Sequence, residues 1–577
     1  MVSYHKKNDI GVVEFNDSDS EVNLLSKENF KQLESIIDSI ISNKSGLCAL
    51  FFTSKKQNVF IAGADIKELA AMRTEEEVSS FCKNGQRLFG KIADLRMPTF
   101  TMVDGACVGG GMELALSCDY IFATTNKRVK IGLPEVKLGI SPGFGGPHRL
   151  REKIGSKRAD SLMEKGDLVS AKEAKALGII DKIISESEKH DHEKFIKFST
   201  RFARSNDIEP RACVERLRAK SRSSNLSREE IEAREIKLVI AKIFQRPAQN
   251  ALSSYLLVDE YKGHAPFNLS LKRCSVIGAG TMGRGIAYLI SLKAGLPVDV
   301  TDASKDVLKK AKSYIEDKYK DAFSRGILSD NKARSGTEDI RFGGDVRKDT
   351  DIVIESITED ALKKKTLFSH IDRSLRRDCI IATNTSCISI EELSRSLKNT
   401  ERFIGMHFFN PAYKMKLVEV IPTRFTSKEV LGLTIDFLRS LKRIPLVVKD
   451  SPGFLVNRMI LPYLNEALLM LKDGFEADEI EGAMLDFGMP MGPLRLLEEI
   501  GHDVARKASG ILKQGLGDKI KTQQPSGQKD IVGRLLYPMR RQAELCLKEE
   551  IVNSREVIDL ALLLGMGFPR SRRIWEI

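Results

Sequence analysis

A short strand followed by a glycine-rich turn constrains the fold of this chain most strongly. Residues 273–277 form a mainly apolar strand that runs directly into Gly278-Ala279-Gly280-Thr281-Met282-Gly283, after which the sequence is typical of a helix. A second predicted strand, at 297–301, ends at Asp302, about twenty residues past the last glycine, the usual spacing of such an acid. This arrangement predicts a doubly wound parallel sheet that binds a dinucleotide.

The same stretch predicts which dinucleotide binds. Amides at the start of the helix favour a pyrophosphate, and the acid at the end of the second strand can accept hydrogen bonds from the adenosine ribose hydroxyls. Because a carboxylate would repel a 2′-phosphate, we expect NAD rather than NADP. The expected cofactor-binding residues are Gly278, Gly280, Thr281, Met282, Gly283, Asp302 and Glu355.

Three further strands are predicted in this region, and polar residues follow or end each of them. The strands cover residues 352–356, 379–383 and 403–408. Ligands bind at the carboxyl edge of an open α/β sheet, so polar residues there are candidates for a site. A lone histidine at a strand end is more often a structural hydrogen-bonding group than a base, and a paired glutamate can be a satisfied ion pair. The polar residues at this edge include Glu355, Ser386, His407 and Asn410, with Glu419 shortly after.

A second stretch with chemical potential lies near the N-terminus, from Asp104 to Gly146. Gly109, Gly110 and Gly111 lack a Cβ, so the backbone there can approach a ligand closely, and the apolar run that follows predicts a buried helix. Glu113 lies in the first turn of that helix and Glu135 follows a proline in a loop. Two carboxylates in different surroundings can act as acid and base. Taken singly, the first could merely favour a helix N-terminus and the second could be a solvated loop residue.

Length and charge limit the classes of protein that remain. A chain of 577 residues exceeds one domain, and a 42% hydrophobic, 30% charged composition is ordinary for a globular protein. The net charge of +13 is compatible with polyanionic ligands, but the basic residues are scattered and no nucleic-acid-binding motif occurs. No run approaches the ~18 apolar residues of a membrane span, and no secretory signal core is visible. The nine cysteines show no metal-like spacing, so we expect reduced thiols, no metal site and a cytoplasmic location.

The N-terminal stretch resembles the crotonase family, in particular the enoyl-CoA hydratase part of the multifunctional fatty-acid β-oxidation enzymes. The resemblance rests on the Asp104–Gly146 stretch and on a second loop, Ala62-Gly63-Ala64-Asp65-Ile66-Lys67. It implies that the backbone N–H groups of Ala64 and Gly110 polarise the thioester oxygen, while Glu113 and Glu135 share the work on the water. Which carboxylate is the acid and which the base is left open. A shift of a 3-enoyl double bond is a secondary expectation.

The glycine turn belongs to a second resemblance, to the 3-hydroxyacyl-CoA dehydrogenases. It is carried by the glycine turn, Asn384-Thr385-Ser386, HFFNP from His407, KLVEVI around Glu419 and DSPGFLVNR from Asp450. It implies that His407 takes the hydroxyl proton as hydride passes to the nicotinamide, while Glu419 orients the imidazole. Ser386 and Asn457 would contact substrate oxygens, and Asn410 would support the His–Glu pair.

Together these features predict an α/β multidomain protein whose parts follow one another along the chain. The segment from about residue 526 repeats the pattern of the preceding helical domain, with Gly533 in place of Asn457. The predicted parts are a crotonase ββα spiral at 1–190, a helical linker at 191–270, a Rossmann-type NAD domain at 271–450, an all-helical domain at 451–525 and a partial second helical domain at 526–577.

The resemblance also implies partners and a difference from the family. Members of this kind run on beyond Phe568-Pro569, so we expect a chain shortened at its C-terminus, with apolar surface at Leu560–Met566 exposed. The linker either packs on the hydratase and completes its acyl pocket or is a solvated spacer. The expected partners are acyl-CoA thioester substrates, with a 3-ketoacyl-CoA thiolase subunit and a second copy of the chain as further candidates, and no nucleic acid.

Two other classes of function compete with a bifunctional enzyme. A degenerate scaffold that binds acyl-CoA without turnover would fit the unusual Pro147-His148 after the PGFGG sequence together with the expected shortening at the C-terminus. A hydratase with a silent dehydrogenase half would fit that shortening alone. A binder of membrane surfaces or nucleic acid would use the positive charge and would be salt-sensitive. The complete sets of catalytic residues favour the enzyme, which hydrates 2-enoyl-CoA and then oxidises the 3-hydroxyacyl-CoA with NAD.

Overall fold

A computed structural model describes residues 1–185, 226–263, 271–501 and 530–577, apart from residues 8, 19, 43–45 and 326. These residues form two compact units, one of Met1–Ser253 with Arg325–Ile327 and the other of Ser254–Ser324 with Leu328–Ile577. The first part of the predicted linker and the predicted boundary at residue 525 lie outside the described residues, as does the end of the linker at 264–270.

The first unit is built on two sheets. The larger has the strand order β1-β2-β3-β5-β7-β9 and is parallel except for the antiparallel pair β1 and β2, while β4, β6 and β8 form a small parallel sheet. The inner strands of the larger sheet are near-continuous apolar runs, as expected of a parallel sheet covered on both faces. The strands are β1 Val2–Lys7, β2 Ile10–Phe15, β3 Ala49–Ser54, β4 Asn58–Ile61, β5 Thr99–Val103, β6 Gly105–Val108, β7 Tyr120–Thr124, β8 Lys130–Gly132 and β9 Lys182–Ile184.

Helices follow the strands of this unit and cover its sheets. Several begin at clear caps; for example, Thr74 and Glu77 form a capping box at the start of α3. Helix α8, which comes from the predicted linker, packs its buried face on α3, so its described part is not a solvated spacer. The helices are α1 Lys27–Ser42, α2 Ile66–Ala71, α3 Glu75–Ala93, α4 Gly110–Leu116, α5 Gly146–Ile154, α6 Ser156–Lys165, α7 Ala171–Leu177 and α8 Arg228–Ile243, followed by α9 Arg246–Lys262.

The second unit contains an eight-stranded sheet of order β12-β11-β10-β13-β14-β15-β16-β17. Every pair is parallel except β15 with β16, which are antiparallel. The strand that precedes the glycine turn, β10, therefore lies inside the sheet at the point where the strand order reverses, which is where dinucleotides bind. The strands are β10 Cys274–Ile277, β11 Val298–Thr301, β12 Ile340–Phe342, β13 Ile352–Glu355, β14 Ile380–Thr383, β15 Phe403–Phe408, β16 Leu417–Pro422 and β17 Ile444–Val447.

Helices cover this sheet and then form a separate helical region after β17. The predicted order of an α/β domain followed by helices is thus observed. The helices are α10 Thr281–Ala294, α11 Lys305–Ser324, α12 Asp330–Glu338, α13 Ala361–Ser374, α14 Ile390–Ser394, α15 Lys428–Ser440, α16 Val456–Lys472, α17 Ala477–Phe487, α18 Pro493–Ile500, α19 Ile531–Lys548 and α20 Arg555–Met566.

The helical region is an internal repeat in which α16 packs on α19. Arg458 at the start of α16 pairs with Glu549 at the end of α19 at 2.6 Å, and Arg534 at the start of α19 pairs with Asp473 at the end of α16 at 2.5 Å. These reciprocal ion pairs place each arginine at the carboxyl end of the partner helix, where the helix dipole favours a cation. The two copies expected from the sequence therefore pack with α16 and α19 antiparallel to each other.

The expectation that apolar surface at Leu560–Met566 is exposed was wrong for most of this stretch, although Leu563 and Leu564 are only half-buried. Leu560 and Leu562 are fully buried and Met566 is nearly so, since α20 packs its apolar face into the core that the two helical copies share. Ile574 is buried in the same core. The apolar side chains of α20 that face this core are therefore buried within the unit.

Two candidate active sites

In the first unit, the two predicted loops and Glu135 meet at the start of α4. Gly109 has φ 55°, a left-handed conformation that favours glycine. A Cβ on Gly109 would lie 3.1 Å from Glu135 Oε1 and 3.6 Å from Gly63 Cα, and a Cβ on Gly63 would lie 4.0 Å from Gly110 N. Ala64 follows directly, held by a bridge to Leu25. The residues predicted to bind the thioester oxygen are thus brought together with one of the carboxylates.

Glu113 is held by the turn that precedes α5. Its Oε1 accepts hydrogen bonds from the backbone N–H groups of Phe144 and Gly146, each at 2.8 Å, and the residue is 2% exposed. Burial, with a smaller contribution from the charge of Glu235, raises the pKa of Glu113 to about 7 against the opposing effect of the two N–H donors and of Arg149. A carboxyl with this pKa exchanges a proton readily near neutral pH.

Glu135 begins a 3-10 turn, Glu135–Leu138, and is half-buried as a residue, with its carboxyl directed inward. Burial first, and then the charge of Glu113, raise its pKa well above the ordinary value of a glutamate. Its Oε2 is buried and has no hydrogen-bond partner among the described atoms. Because the charge of Glu113 disfavours ionisation of Glu135, the two carboxyls can differ in protonation near neutral pH and can serve as acid and base towards a molecule in the site.

Around Glu113 lies a set of charged residues that the sequence did not predict. Glu235 of α8 bonds to His148, while Arg149 donates to the carbonyl oxygen of Phe144 at 2.9 Å. In the sequence, His148 was marked only by its place in Pro147-His148, where the chain departs from the family pattern. Nothing in the sequence marked Glu235, because its partner is distant along the chain.

In the second unit, the three glycines of the glycine turn are required for different physical reasons. Gly278 has φ 100°, and a Cβ there would collide with the carbonyl oxygen of Ser356. A Cβ on Gly283 would collide with the carbonyl oxygen of Gly278, so only glycine allows α10 to pack this closely on β10. Gly280 faces open space, where a Cβ would meet nothing within 4 Å. Gly280 therefore leaves room for a ligand to approach the backbone.

Asp302 faces the same turn. Its Oδ2 accepts from Ala279 N at 2.8 Å and its Oδ1 from Ser304 N at 2.9 Å, which fixes the carboxylate at the end of β11. Gly280, Thr281, Met282 and Asp302 all line one cavity of about 1850 Å³. Gly278 lines it as well, so all the predicted dinucleotide-binding residues except Gly283 and Glu355 share one concave surface.

His407 and Glu419 face each other across the only antiparallel step of the described part of this sheet. They are register partners on β15 and β16, and His407 Nδ1 lies 2.6 Å from Glu419 Oε2. Glu419 is fully buried, and its Oε1 accepts from the N–H groups of Leu455 and Val456 at 3.1 and 2.9 Å. Backbone N–H groups thus hold Glu419, and Glu419 holds the Nδ1 side of the imidazole. His407 also lines the cavity.

The remaining predicted substrate residues line the cavity near this pair. Ser386, Asn410 and Asn457 all contribute to its wall, and Asn457 Nδ2 donates to the carbonyl oxygen of Ser386 at 3.0 Å. Ser386 Oγ donates to Glu359 at 3.1 Å. The structure thus brings the histidine, its glutamate and the three polar residues to one end of the cavity.

Glu355 is the one predicted cofactor residue whose placement disagrees with the expectation. Its side chain is fully buried and does not line the cavity. It accepts hydrogen bonds from Lys364 Nζ at 2.6 Å, Thr383 Oγ1 at 2.6 Å and Ile357 N at 2.7 Å, so its charge is already satisfied within the sheet. Glu359, which the sequence did not single out, lines the cavity instead.

Neither site includes a metal centre in the described ranges, since no group of three or more His, Cys, Asp or Glu side chains there is placed to hold an ion. Among the helices of residues 1–185, 226–263, 271–501 and 530–577, none has the length and apolar character to cross a membrane.

Comparison with protein families matches both sites. The enoyl-CoA hydratase/isomerase model covers residues 5–256. The 3-hydroxyacyl-CoA dehydrogenase NAD binding domain covers residues 273–451, and the 3-hydroxyacyl-CoA dehydrogenase C-terminal domain covers residues 453–529. The fold and both sites therefore define a protein that joins a hydratase unit to an NAD-dependent dehydrogenase unit.

Whole-length relatives match as well. The fatty acid oxidation complex subunit alpha of Vibrio parahaemolyticus serotype O3:K6 is 30% identical over 94% of this chain and 87% of that protein. The subunit alpha of Vibrio campbellii is 29% identical over the same shares of 94% and 87%. A crystal structure of 3-hydroxybutyryl-CoA dehydrogenase from Escherichia coli K12 aligns with 53% of this chain and 94% of its own, at 23% identity and a TM-score of 0.47.

The chain belongs to the family of fatty acid oxidation complex alpha subunits. It is a bifunctional enzyme of β-oxidation, with an enoyl-CoA hydratase unit and an NAD-dependent 3-hydroxyacyl-CoA dehydrogenase unit that act on acyl-CoA thioesters.

Proposed function

We propose that the first unit hydrates a 2-enoyl-CoA with Glu113 and Glu135 as its two catalytic carboxyls. One carboxylate removes a proton from water as the oxygen bonds to Cβ, and the other carboxyl delivers a proton to Cα. The backbone N–H groups of Ala64 and Gly110 hold the thioester oxygen as negative charge develops on it; loss of one such donor typically costs ~3 kcal/mol. The same carboxyls can move the double bond of a 3-enoyl-CoA, by removing one proton and returning another.

We propose that the second unit oxidises the 3-hydroxyacyl-CoA with His407 as the base. The imidazole takes the hydroxyl proton while the hydride leaves Cβ for the nicotinamide, and Glu419 holds the ring in the required tautomer and stabilises its charged form. Ser386 and Asn457 are placed to contact the substrate oxygens, with Asn410 beside the pair. NAD would supply the hydride acceptor when bound, and the turn from Gly278 to Gly283 would hold its pyrophosphate.

The observation that carries this assignment is that both constellations are complete in one chain. His407 and Glu419 are 2.6 Å apart on the wall of a cavity that also contains Asp302. Glu113 is buried, and Glu135 is half-buried with its Oε1 close to the glycine turn at Gly109. Each constellation performs one of two consecutive steps, because the product of hydration is the substrate of oxidation.

Paired variants test these roles. Glu113→Gln and Glu135→Gln should each lower hydration by about 10²-fold or more and leave oxidation of a supplied 3-hydroxyacyl-CoA unchanged, since a general acid or base contributes 10² to 10⁴-fold. His407→Gln should do the reverse. Loss of both activities in either variant would mean that the substitution damages folding. Wild-type-like hydration in both carboxylate variants would overturn the assignment, and binding of acyl-CoA with no turnover in the wild type would favour a scaffold.

We further propose the division of the chain that the sequence predicted, namely 1–190, 191–270, 271–450, 451–525 and 526–577. Limited proteolysis followed by mass spectrometry tests it, because cleavage between folded parts should fall at these boundaries. Cleavage confined to the interiors of the predicted parts would contradict it.

We also propose that the protein associates with a 3-ketoacyl-CoA thiolase, forms a homodimer and works in the cytoplasm. The relatives are named as subunits of a fatty acid oxidation complex, which supports an assembly. The described cysteines are all free, which suits a reducing compartment. Co-purification with a thiolase, sedimentation analysis and cell fractionation test the three statements separately.

A further inference from the structure

A buried carboxylate from outside the predicted catalytic pairs lies beside the hydratase site. Glu235 belongs to α8 and is 5% exposed. Its Oε1 accepts a hydrogen bond from His148 N at 3.1 Å and lies 3.2 Å from His148 Nδ1. Its Oε2 is buried and finds no partner among the described atoms. A buried charge with one unsatisfied oxygen is costly, so a purely structural anchor is a poor account of this residue.

Glu235 and Glu113 share the start of one helix. His148 is the third residue of α5, and Gly146, the first residue, donates its N–H to Glu113 at 2.8 Å. Pro147 between them has no N–H to give. The first turn of a helix has backbone N–H groups without partners inside the helix. In α5, the N–H of Gly146 binds Glu113 of the hydratase core and the N–H of His148 binds Glu235 of α8.

The imidazole held by Glu235 also packs on the turn that binds Glu113. A Cβ on Gly145 would lie 2.9 Å from His148 Cε1, so the ring lies directly against this turn. Gly145 stands between Phe144 and Gly146, whose amides are the two donors to Glu113. A movement of His148 would therefore move both donors.

We propose that Glu235 is a positioning residue for hydration, which holds His148 and the start of α5 so that the amides of Phe144 and Gly146 stay aimed at Glu113. This inference rests on the proposed role of Glu113. It gives α8, a helix outside the catalytic carboxylate loops, a direct part in the organisation of the hydratase site.

Glu235 also contributes to the electrostatic surroundings of Glu113. Arg149 of α5 and Glu235 of α8 act on the pKa of Glu113, and Glu113 in turn raises the pKa of Glu135 in the 3-10 turn. The thiol of Cys82 on α3 lies within the field of both Glu113 and Glu235. After burial, the charge of Glu235 is among the effects that raise the pKa of Glu113. Removal of that charge should move the limb of the hydration pH profile that belongs to Glu113 to lower pH, whether Glu113 acts as acid or as base.

Two variants separate position from charge. Glu235→Ala removes the acceptor of His148 N, and we expect the kcat of hydration to fall about tenfold with KM changed less than about twofold, because misplaced catalytic groups affect the chemical step. Glu235→Gln keeps an acceptor oxygen and removes the charge, so we expect a smaller loss of kcat and a shift of the pH limb. Glu229→Gln makes the same charge change on an exposed position of α8 and should resemble the wild type.

Oxidation of a supplied 3-hydroxyacyl-CoA by each preparation gives the amount of intact protein. Hydration by Glu235→Ala that matches Glu229→Gln in kcat would overturn the proposal. If Glu235→Ala does not fold, Glu235→Gln decides, and a wild-type kcat and pH limb in that variant would also overturn it. Absence of hydration in the wild type would instead refute the proposed function itself.

Discussion

At the scale of single residues, the hydratase site is shaped by the burial of two carboxyls. Burial raises the pKa of Glu113 to about 7, far from the value of an exposed glutamate. We therefore expect the kcat of hydration, measured from pH 5 to 9, to show a limb near pH 7. A profile that is flat across this range would contradict the role of Glu113, while the pH profile of oxidation serves as the control for general damage.

The same burial predicts a pH-dependent effect on stability. The folded pKa of Glu135 is raised above the unfolded value, so this group costs stability as pH rises from its unfolded pKa through its folded pKa. Glu135→Gln should therefore stabilise the first unit by roughly 1–2 kcal/mol at pH 8 and by much less at pH 4.5. Thermal unfolding at the two pH values measures this, with Glu229→Gln as a control, and equal destabilisation at both would contradict the account.

Asp302 is the residue expected to select NAD over NADP. Asp302 is fixed by two backbone N–H groups at the rim of the cavity. Asp302→Ala should raise the KM for NAD by about tenfold, since a lost charge-assisted hydrogen bond costs ~1.5–3 kcal/mol, and should lessen the discrimination against NADP. Steady-state kinetics with both cofactors measure the effect. A wild-type preference for NADP would overturn the assignment.

At the scale of elements, the sequence was sufficient to predict the strands, turns and helices that depend on local residue patterns. The strand, glycine turn and helix around Gly278 were predictable because each glycine answers a local steric demand. The pairing of His407 with Glu419 followed from the resemblance, and the antiparallel step between β15 and β16 explains it. Glu235 and the true environment of Glu355 were not predictable, because both depend on side chains that only tertiary packing brings together. The burial of Leu560 depends likewise on the packing of the two helical copies.

The end of α20 offers an element-scale test of that packing. Gly567 has φ 74°, and a Cβ there would lie 2.7 Å from Pro490 Cγ of the first helical copy. Gly474, at the end of α16, has φ 93° but nothing within 4 Å of a Cβ. Gly567→Ala should thus lower the free energy of unfolding by roughly 2–3 kcal/mol and Gly474→Ala by about 1 kcal/mol, because only the first adds a clash to the backbone strain. Equal losses in chemical denaturation would contradict the observed contact between the copies.

At the scale of the whole molecule, the division into two compact units predicts that ligands act on one unit at a time. NAD at about 100 times its Kd should stabilise the second unit by ~2.7 kcal/mol. In calorimetry the transition of that unit should move to higher temperature, while the transition of the first unit stays in place. His407→Gln, which leaves the glycine turn intact, is the matched control and should show the same shift. A shift of both transitions together would contradict independent units.

One chain is proposed to perform two consecutive steps at two separate constellations. This is tested by supplying the purified protein with a 2-enoyl-CoA and NAD and following the loss of the enoyl thioester absorbance and the gain of NADH separately. We expect both signals to change in the wild type and His407→Gln to abolish only the NADH signal. Consumption of the enoyl-CoA with no NADH in the wild type, or no change in either signal, would contradict it.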